Sequence, residues 1–374
     1  MKVLLIDPQS DDNLGLYDYH LMTNLEGNII FCGSVTYNGP KIVSKNIRTE
    51  LVFSYLLEKK TLKKAFSYVR SIFKVARLIK KERPDIVHIQ WWKIWPLDYC
   101  FLNVIKPYCG KIVFTAHNLV PHNSGDKYKD RCIKYYKRVD KIIVHVSKSK
   151  VELVSDFGIE ESKIFVIPHG LLDFTSKTTV KDGKYEKLAE TNHFNEKIVF
   201  SAMGIQSNYK GTDIIVDAIL NNDAIRNNSK FFFIIAGKGN IATKNLFKDC
   251  NNVYVNNNYL SNDEFEKLLQ LSDVLLLPYR RISQSGVLLT AISNKIPYIA
   301  TDVGGLSDPL IVAKVGWIIN EASSKALADI ILELANMNCH QIKSIKYNDA
   351  EWNRVKVLYD WGNIGKKTMV CYSS

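Results

Sequence analysis

Residues 274–305 read VLLLPYRRISQSGVLLTAISNKIPYIATDVGG, and this stretch has the pattern of a strand, a helix and a second strand. The first apolar run ends at Pro278 and is followed by a polar turn, as expected where a buried strand stops. A helical pattern over residues 285–293 then leads into the second apolar run, residues 297–301. Two buried strands joined through a helix predict a parallel α/β sheet.

The same alternation of short apolar runs and helical patterns continues in both directions along the chain. The predicted strands of the first half are residues 3–7, 29–33, 85–89, 111–116, 141–146 and 163–168. Those of the second half are residues 197–203, 231–236, 252–256, 274–278, 297–301 and 316–319. The sequence therefore predicts an α/β protein with two tandem Rossmann-like, doubly wound domains.

The predicted domains are residues 1–170 and 197–349, joined by a linker over residues 171–196 in which the periodicity is lost. Residues 350–374 are aromatic-rich, and we expect them to form helix that packs back on the first domain. Ligands of open parallel sheets bind outside the carboxyl ends of the strands. We therefore expect the two sheets to face one another across a cleft that holds the site.

Composition excludes several classes of protein. The 374 residues are 46% hydrophobic and 24% charged, which is typical of a soluble globular chain. We predict a cytoplasmic protein, because no apolar stretch is long enough for a membrane span and the amino terminus lacks a signal-peptide core. The seven cysteines are scattered without a C-x-x-C pair, so neither a disulfide framework nor a metal site is indicated.

The excess of positive charge is concentrated in the first half of the chain. The net charge is +12, and residues 59–83 contain ten basic side chains and one acid. Apolar residues recur there at helical spacing, which predicts an amphipathic helix. They are Leu62, Ala65, Phe66, Val69, Ile72, Phe73, Ala76 and Ile79, and the basic stripe beside them is Lys63, Arg70, Lys74, Arg77 and Lys81.

This helix has two interpretations. It can bury its apolar face in its own domain and solvate the basic one, or it can bind an anionic membrane surface. Nucleic acid attracts the same charges, but no nucleic-acid-binding motif accompanies the patch, so we expect no nucleic-acid partner.

In the second domain, the turn after residue 278 can bind phosphate. Ser283, Ser285 and Gly286 precede a helix whose first N–H groups and positive dipole end would point into the cleft. Arg280 and Arg281 could add charge-assisted hydrogen bonds to a diphosphate. The alternative is that a serine caps the helix and the arginines face solvent.

Two further strand ends of the second domain carry candidate residues. Gly204 follows the strand 197–203 and permits a close backbone approach, and Lys210 lies where the next helix starts. A lysine there can neutralise a phosphate, although an exposed lysine at a helix start is usually only solvated. Gly237 begins a G-K-G turn, which as a lone G-x-G is weak evidence for a nucleotide site.

In the first domain, His117 follows the strand 111–116 and can hydrogen-bond a substrate hydroxyl or phosphate oxygen. His122 is a lower-ranked candidate in the same loop, and His88 lies within an apolar strand, where a structural role is expected. The next strand end carries a tryptophan cluster that either packs in the core or stacks on a sugar or lipid-linked acceptor, namely Trp91, Trp92 and Trp95.

Six segments in order resemble the bacterial family 4 glycosyltransferases of GT-B fold: HIQWW, FTAHNLVPH, residues 139–170, the YKG segment, IIAGKG and residues 275–306. Within this family, the last of these segments, with P-Y-R-R followed by S-x-S-G, is similar to the corresponding segment of enzymes that build capsule, exopolysaccharide and O-antigen. The resemblance implies transfer of a sugar from a UDP- or GDP-linked donor, with retention at the anomeric carbon. It also implies a polyprenyl-diphosphate-linked acceptor, no cofactor or essential metal, and a peripheral position on the inner face of the cell membrane.

The resemblance also implies roles for individual residues. Lys210 and the backbone N–H groups near Ser285 and Gly286 would bind the donor diphosphate, and His117 would face the transferred sugar. Three more residues follow by position: Gly15, in the loop that closes on the donor, and Tyr259 and Leu260, beside the base. The chain departs from the family where two glutamates and an arginine fall on Ile282, Thr290 and Ile205. Arg280 or Arg281 would supply the missing positive charge.

Two alternatives remain open at this point. A non-hydrolysing nucleotide-sugar epimerase resembles the same two-domain fold but needs acid/base carboxylates, and the acids after the first strand, Asp7, Asp11 and Asp12, are also common turn residues. A basic adaptor that binds a membrane or nucleic acid through residues 59–83 would need no nucleotide-sugar site.

Overall fold

The computed structural model describes residues 1–120, 128–172 and 183–374, which form two compact units. Unit 1 contains Met1–Leu172 and Tyr359–Ser374, and unit 2 contains Asp173–Leu358. His122 and residues 173–182 of the predicted linker lie outside the described residues.

Unit 1 is built on a parallel sheet with, in the described residues, seven strands in the order β3-β2-β1-β4-β5-β6-β7. The strands are β1 Lys2–Ile6, β2 Asn28–Ser34, β3 Ile47–Phe53, β4 Ile86–Ile89, β5 Lys111–Thr115, β6 Lys141–Val144 and β7 Ile164–Val166. The helices between them are α1 Asp12–Thr23, α2 Thr61–Glu82, α3 Trp95–Ile105, α4 Lys129–Arg138 and α5 Ser147–Ser155. The strand order reverses between β1 and β4, so unit 1 is doubly wound.

Unit 2 contains a second parallel sheet, whose described strands follow the order β10-β9-β8-β11-β12-β13. They are β8 Ile198–Met203, β9 Phe231–Ala236, β10 Val253–Asn256, β11 Val274–Leu277, β12 Tyr298–Thr301 and β13 Gly316–Ile319. The helices are α6 Lys184–Thr191, α7 Thr212–Leu220, α8 Asp223–Arg226, α9 Asn262–Gln270, α10 Gly286–Ser293, α11 Asp308–Val312, α12 Ser324–Ala335, α13 Cys339–Ser344 and α14 Asp349–Leu358. Here the order reverses between β8 and β11.

The last helix of the chain, α15 Trp361–Ser373, belongs to unit 1. Its Gly365 approaches α1 so closely that a Cβ there would lie 2.0 Å from the carbonyl oxygen of Asn24. The indole nitrogen of Trp361 donates a hydrogen bond to the Leu171 carbonyl over 2.7 Å, and the Tyr372 hydroxyl reaches His88. The carboxyl-terminal segment is therefore part of the structure of unit 1.

The buried face of α2 differs from the predicted one. Ile72 and Ile79 are buried as expected, but Leu62 is 86% exposed, Phe66 72% and Phe73 58%. The helix instead buries Tyr68 and Ser71, whose polar atoms are satisfied: Tyr68 donates to Asp98 and Ser71 to the Val52 carbonyl. Because the pattern counted only apolar residues, it merged this buried face with a second apolar stripe that stays at the surface.

Two other differences from the sequence prediction concern elements with mixed polarity. Strand β3 was not predicted, because this edge strand mixes exposed residues such as Arg48 and Thr49 with half-buried ones and has no continuous apolar run. Helix α6 and residues 183–196 as a whole lie in unit 2 although the sequence assigns them to the linker. Across the described ranges, no helix is long and apolar enough to span a membrane.

Candidate active site

The reversal point of unit 2 brings together the loops that follow β8 and β11. The Arg280 amide donates to the Tyr209 carbonyl over 2.8 Å. Gly211, at a positive φ of 68°, lies so close to the end of β11 that a Cβ would be 2.1 Å from the Pro278 carbonyl oxygen. Ligands of doubly wound sheets bind at this reversal point, beyond the carboxyl ends of the strands.

Glycines allow the backbones of two loops to approach each other closely at this strand end. Gly204 and Gly237 have φ values of 95° and 148°, which are accessible to glycine without strain. A Cβ on Gly237 would lie 1.9 Å from the Gly204 carbonyl oxygen, so the two loops touch through their main chains. The Gln206 side chain, which the sequence did not single out, joins them further by bonding both the amide and the carbonyl of Ala242.

Lys210 is the basic side chain of this reversal point. Lys210 lines a cavity of about 20 Å³ together with Gly204 and Gln206, and its Nζ lies 3.2 Å from the position that a Cβ on Gly204 would occupy. No hydrogen bond or ion pair joins this ammonium group to another described residue, and burial lowers the pKa of Lys210. A half-buried cation without a carboxylate partner favours an anionic ligand.

The amino-terminal end of α10 adjoins the same space. Val287 lies 3.5 Å from the Gly204 Cβ position, on the side that Lys210 also reaches. The Ser285 hydroxyl accepts a hydrogen bond from the Leu288 N–H over 3.3 Å. A serine therefore caps this helix, as the alternative interpretation of the turn predicted. Gly286 is exposed, with open space where a side chain would be, and the N–H groups of the first turn have no partner within the helix. An anion beside Lys210 can therefore also meet the positive end of α10.

The remaining polar residues of the predicted phosphate turn have other contacts. The guanidinium of Arg280 makes two hydrogen bonds with Asp213, at 2.8 and 2.6 Å, and holds the pKa of that carboxyl below its usual range. Its charge is thus neutralised within unit 2. Arg281 is exposed, and Ser283 accepts the Gly305 N–H through its carbonyl.

The residues at the positions that depart from the family pattern make no contact with another described residue that would replace the family's charged side chains. Thr290 donates to the Gly286 carbonyl within α10, and Ile205 is 57% exposed. Beside half-buried Ile282, however, the Gln284 side chain carries a buried amide oxygen that accepts no hydrogen bond from any described residue. This oxygen can accept a hydrogen bond from a ligand hydroxyl. Tyr259 is 73% exposed and Leu260 is buried, just before the capping box that starts α9.

Unit 1 places His117 at the carboxyl ends of β4, β5 and β6, next to the reversal between β1 and β4. His117 follows β5 and contacts Gln90, which follows β4, and His145, which follows β6. Gly15 is not in the loop after β1, because the chain becomes helical at Asp12 and the Gly15 amide already donates to the Asp11 carbonyl. His88 is buried and structural, as predicted.

The three tryptophans do not form one cluster. Trp91 stacks on His117 with ring centroids 4.7 Å apart and 7° between the planes. Trp92 packs against the core beside Tyr135. Trp95 begins α3 and donates to the Arg131 carbonyl over 3.0 Å. Trp91 is thus the member of the set that adjoins a candidate site residue.

A buried pair of carboxyl groups also lies at this edge of unit 1. Asp7 follows β1, Asp18 lies on α1, and both are at most 1% exposed. Neither carboxyl oxygen of Asp18 has a hydrogen-bond partner among the described residues, and a carboxyl group buried in this way favours its neutral, protonated form. Burial raises the pKa of Asp7 to about 6, and burial together with the Asp7 charge raises the pKa of Asp18 further. The sequence could not identify Asp18, because its partner is on another element.

Replacing Asp18 by asparagine should stabilise the protein at pH 8 by at least about 1 kcal/mol, or about 2–4 °C in Tm. The unfolded carboxyl ionises near pH 3.9, whereas the folded one keeps its proton to higher pH. Its contribution to stability is therefore complete below about pH 3.9 and is lost as the pH rises through the folded pKa. Melting curves from pH 4 to pH 8 should show the advantage of D18N shrinking toward acid. Exposed Glu26→Gln is the control, and an advantage for D18N that grows toward acid would refute the raised pKa of Asp18.

Family models match both units of the chain. The model for Glycosyltransferase Family 4 matches residues 42–171, and the model for Glycosyl transferases group 1 matches residues 195–337. Together these matches cover most of the chain. No curated protein sequence matches it significantly.

Solved structures share the architecture at low sequence identity. A glycosyltransferase from Rickettsia africae is 17% identical with a TM-score of 0.65, over 100% of this chain and 97% of its own. Anabaena HepE, solved with UDP and glucose, is 14% identical with a TM-score of 0.68, over 100% and 99%. Sucrose-phosphate synthase from Thermosynechococcus elongatus is 15% identical with a TM-score of 0.70, over 100% and 98%. The predicted fold class is confirmed, and the chain belongs to the glycosyltransferases of GT-B fold, with a family 4 domain in unit 1 and a group 1 domain in unit 2.

Proposed function

We propose that this glycosyltransferase moves a sugar from a nucleotide-sugar to a saccharide acceptor, with unit 2 binding the nucleotide, unit 1 the acceptor, and His117 facing the transferred sugar. The observation that carries the proposal is the unpaired ammonium group of Lys210 beside Gly204 and the amino-terminal end of α10. A diphosphate suits this place, because one phosphate can meet the cation while its neighbour meets the free N–H groups of Gly286 and Val287.

The proposed reaction retains configuration at the anomeric carbon. The bond between the anomeric carbon and the diphosphate oxygen breaks, and the acceptor hydroxyl attacks from the same face. Its proton passes to the departing phosphate oxygen, so the charges balance without an enzymic carboxylate nucleophile. Lys210 and the α10 amides stabilise the negative charge that develops on the leaving group. In this scheme the chain needs no cofactor and no essential metal.

The donor we propose carries UDP or GDP. HepE, which shares the fold, was solved with UDP and glucose, and this supports testing uridine donors first. In unit 2 the backbone of Tyr259 and Leu260 would flank the base. The unpaired amide oxygen of Gln284 would accept a hydroxyl of the donor and so take over part of the role of the missing glutamate at position 282.

A thermal-shift screen tests the donor site directly. With UDP-, GDP-, ADP- and dTDP-sugars at a hundredfold their dissociation constants, the matching donor should stabilise unit 2 by about 2.7 kcal/mol. A positive donor is then incubated alone, where a transferase gives only slow hydrolysis and an epimerase interconverts sugars. If no nucleotide-sugar raises the Tm even at millimolar concentration, the proposed donor site is wrong.

We further propose that unit 1 binds an anionic membrane through α2, where it would meet a polyprenyl-diphosphate-linked acceptor on the inner face of the cell membrane. Leu62, Phe66 and Phe73 follow one another at helical spacing along the surface of α2 and are all more than half exposed. The stripe of Lys63, Arg70, Lys74, Arg77 and Lys81 runs beside them, and none of these five is in an ion pair with another described residue. Apolar side chains beside unpaired cations are typical of helices that lie in a lipid interface.

A membrane-bound acceptor fits the synthesis of surface polysaccharide, such as capsule, exopolysaccharide or O-antigen. In this proposal the growing polymer is carried on a polyprenyl diphosphate, whose charged group lies at the bilayer surface. A glycosyltransferase held at the same surface searches for its acceptor in two dimensions, and about 1 kcal/mol for each basic side chain suffices for reversible binding.

A further inference from the structure

A continuous chain of buried hydrogen-bonding side chains crosses unit 1 from the last helix to the carboxyl end of β7. The Tyr372 hydroxyl lies 2.7 Å from Nδ1 of His88, and Nε2 of His88 lies 3.4 Å from the Gln90 amide. Gln90 lies 2.9 Å from Nε2 of His117, and Nδ1 of His117 lies 3.0 Å from Nε2 of His145. The far end is fixed, because Nδ1 of His145 lies 2.9 Å from the carbonyl oxygen of Ile167.

The backbone carbonyl of Ile167 determines which ring nitrogens of His145 and His117 carry a proton. A carbonyl oxygen only accepts, so Nδ1 of His145 must carry a proton. Burial lowers the pKa of His145 to about 4, so at neutral pH its Nε2 is an unprotonated acceptor. The Nδ1 of His117 must therefore donate to it. Burial, together with His145 and His169, also lowers the pKa of His117 well below its usual value, which leaves Nε2 of His117 as an acceptor.

The hydrogen bonds of Gln90, His88 and Tyr372 agree with this assignment of protons. The structure places the Gln90 oxygen 2.9 Å from Nε2 of His117 and the Gln90 NH₂ 3.4 Å from Nε2 of His88. Because the oxygen and nitrogen of an amide have the same shape, we exchange them, so that the NH₂ donates to the lone pair on Nε2 of His117. The Gln90 oxygen then faces a protonated Nε2 of His88, which also donates to the Thr115 hydroxyl at 2.7 Å. The Nδ1 of His88 accepts from Tyr372. With all three imidazoles neutral, each protonated ring nitrogen of His88, His117 and His145 faces an acceptor, and each unprotonated one faces a donor.

We propose that His145 is a positioning residue that holds the proton of His117 on Nδ1, so that His117 offers its Nε2 to a donor-sugar hydroxyl as a hydrogen-bond acceptor. The hydroxyl takes the place of the Gln90 amide group, which contacts Nε2 of His117 in this structure. The substrate part of this inference rests on the proposed function of His117, whereas the proton assignment rests on the hydrogen bonds alone. Without His145, Nε2 of His117 can take the proton, and the face offered to the sugar becomes a donor.

The test compares His145→Phe with His145→Gln. Phenylalanine fills the space but cannot accept the His117 proton, whereas the glutamine oxygen can. His169→Phe is the matched control, because His169 is a neighbouring imidazole that hydrogen-bonds the Gly170 carbonyl instead of His117. In protein labelled with ¹⁵N-histidine, long-range ¹⁵N–¹H correlations report which ring nitrogen of His117 is protonated. The affinities for UDP-glucose and for UDP, or for the pair that the donor screen selects, are measured on the same variants.

We expect His117 to be protonated on Nδ1 in the wild type, His145→Gln and His169→Phe, and on Nε2 in His145→Phe. The affinity of His145→Phe for the nucleotide-sugar should fall about tenfold while that for the nucleoside diphosphate is unchanged, and His145→Gln should recover most of it. An Nδ1 proton that persists in His145→Phe would overturn the inference. A tautomer that moves without any change in nucleotide-sugar affinity would keep the positioning role and refute the sugar contact proposed for His117.

Discussion

Replacing Lys210 by alanine should lower turnover by about tenfold to a thousandfold, because a cation that stabilises the leaving diphosphate contributes about 1.4 to 4 kcal/mol to the transition state. The affinity for the nucleoside diphosphate should fall as well, since Lys210 lines the cavity and its ammonium group has no ion partner among the described residues. Turnover and nucleotide affinity are measured with the donor that the thermal screen selects.

The stability of Lys210→Ala separates this role from a structural one. Lys210 is half-buried without an ion pair in the described residues, and its lowered pKa shows that burial disfavours its charged form. Its removal should therefore leave the Tm unchanged or raise it slightly while function is lost. Exposed Lys248→Ala, also in unit 2, is the control for the loss of one positive charge. Unchanged turnover in Lys210→Ala would remove this residue from the site.

Exchanging Lys63, Arg70, Lys74 and Arg77 for glutamine should weaken binding to anionic vesicles by about a thousandfold. Each basic side chain near such a surface contributes about 1 kcal/mol, and about 4 kcal/mol corresponds to this factor. Flotation with vesicles of phosphatidylcholine alone, or with added phosphatidylglycerol, measures the bound fraction. Wild-type protein should float only with the anionic vesicles.

A charge-matched variant distinguishes the α2 face from general basicity. Glutamine at Lys41, Lys45, Lys134 and Lys137, all exposed residues of unit 1, removes the same charge elsewhere and should leave most of the binding intact. Phe66→Ser with Phe73→Ser keeps the charge but removes the apolar stripe, and should also reduce flotation. Equal losses in the two charge variants, or equal recovery of wild type from both kinds of vesicle, would contradict docking through α2.

The sequence predicted the elements whose stability is local. Twelve apolar runs were predicted as strands, and each corresponds to a strand of the described structure, because a strand buried on both faces needs a continuous apolar segment. The helix start at Ser285 was equally visible, since capping depends on residues three apart. Strand β3 lacks such a signature, because an edge strand tolerates polar residues.

The residues that sequence reasoning missed act through partners far along the chain. The burial of Ser71 in α2 depends on the Val52 carbonyl, and the raised pKa of Asp18 depends on its burial and on the charge of Asp7. His145 resembled an ordinary strand residue until the fold placed it between His117 and the Ile167 carbonyl. Lys210 was predictable as a candidate because it lies between the end of β8 and the start of α7, but its lack of an ion partner among the described residues is a property of the folded chain.

A crystal structure of the protein with the nucleoside diphosphate selected by the thermal screen tests the central claim most directly. We predict that a phosphate oxygen lies within hydrogen-bond distance of the Lys210 Nζ, and that the other phosphate meets the N–H of Gly286 or Val287. A diphosphate bound elsewhere in the chain, with Lys210 still unpaired, would contradict the account.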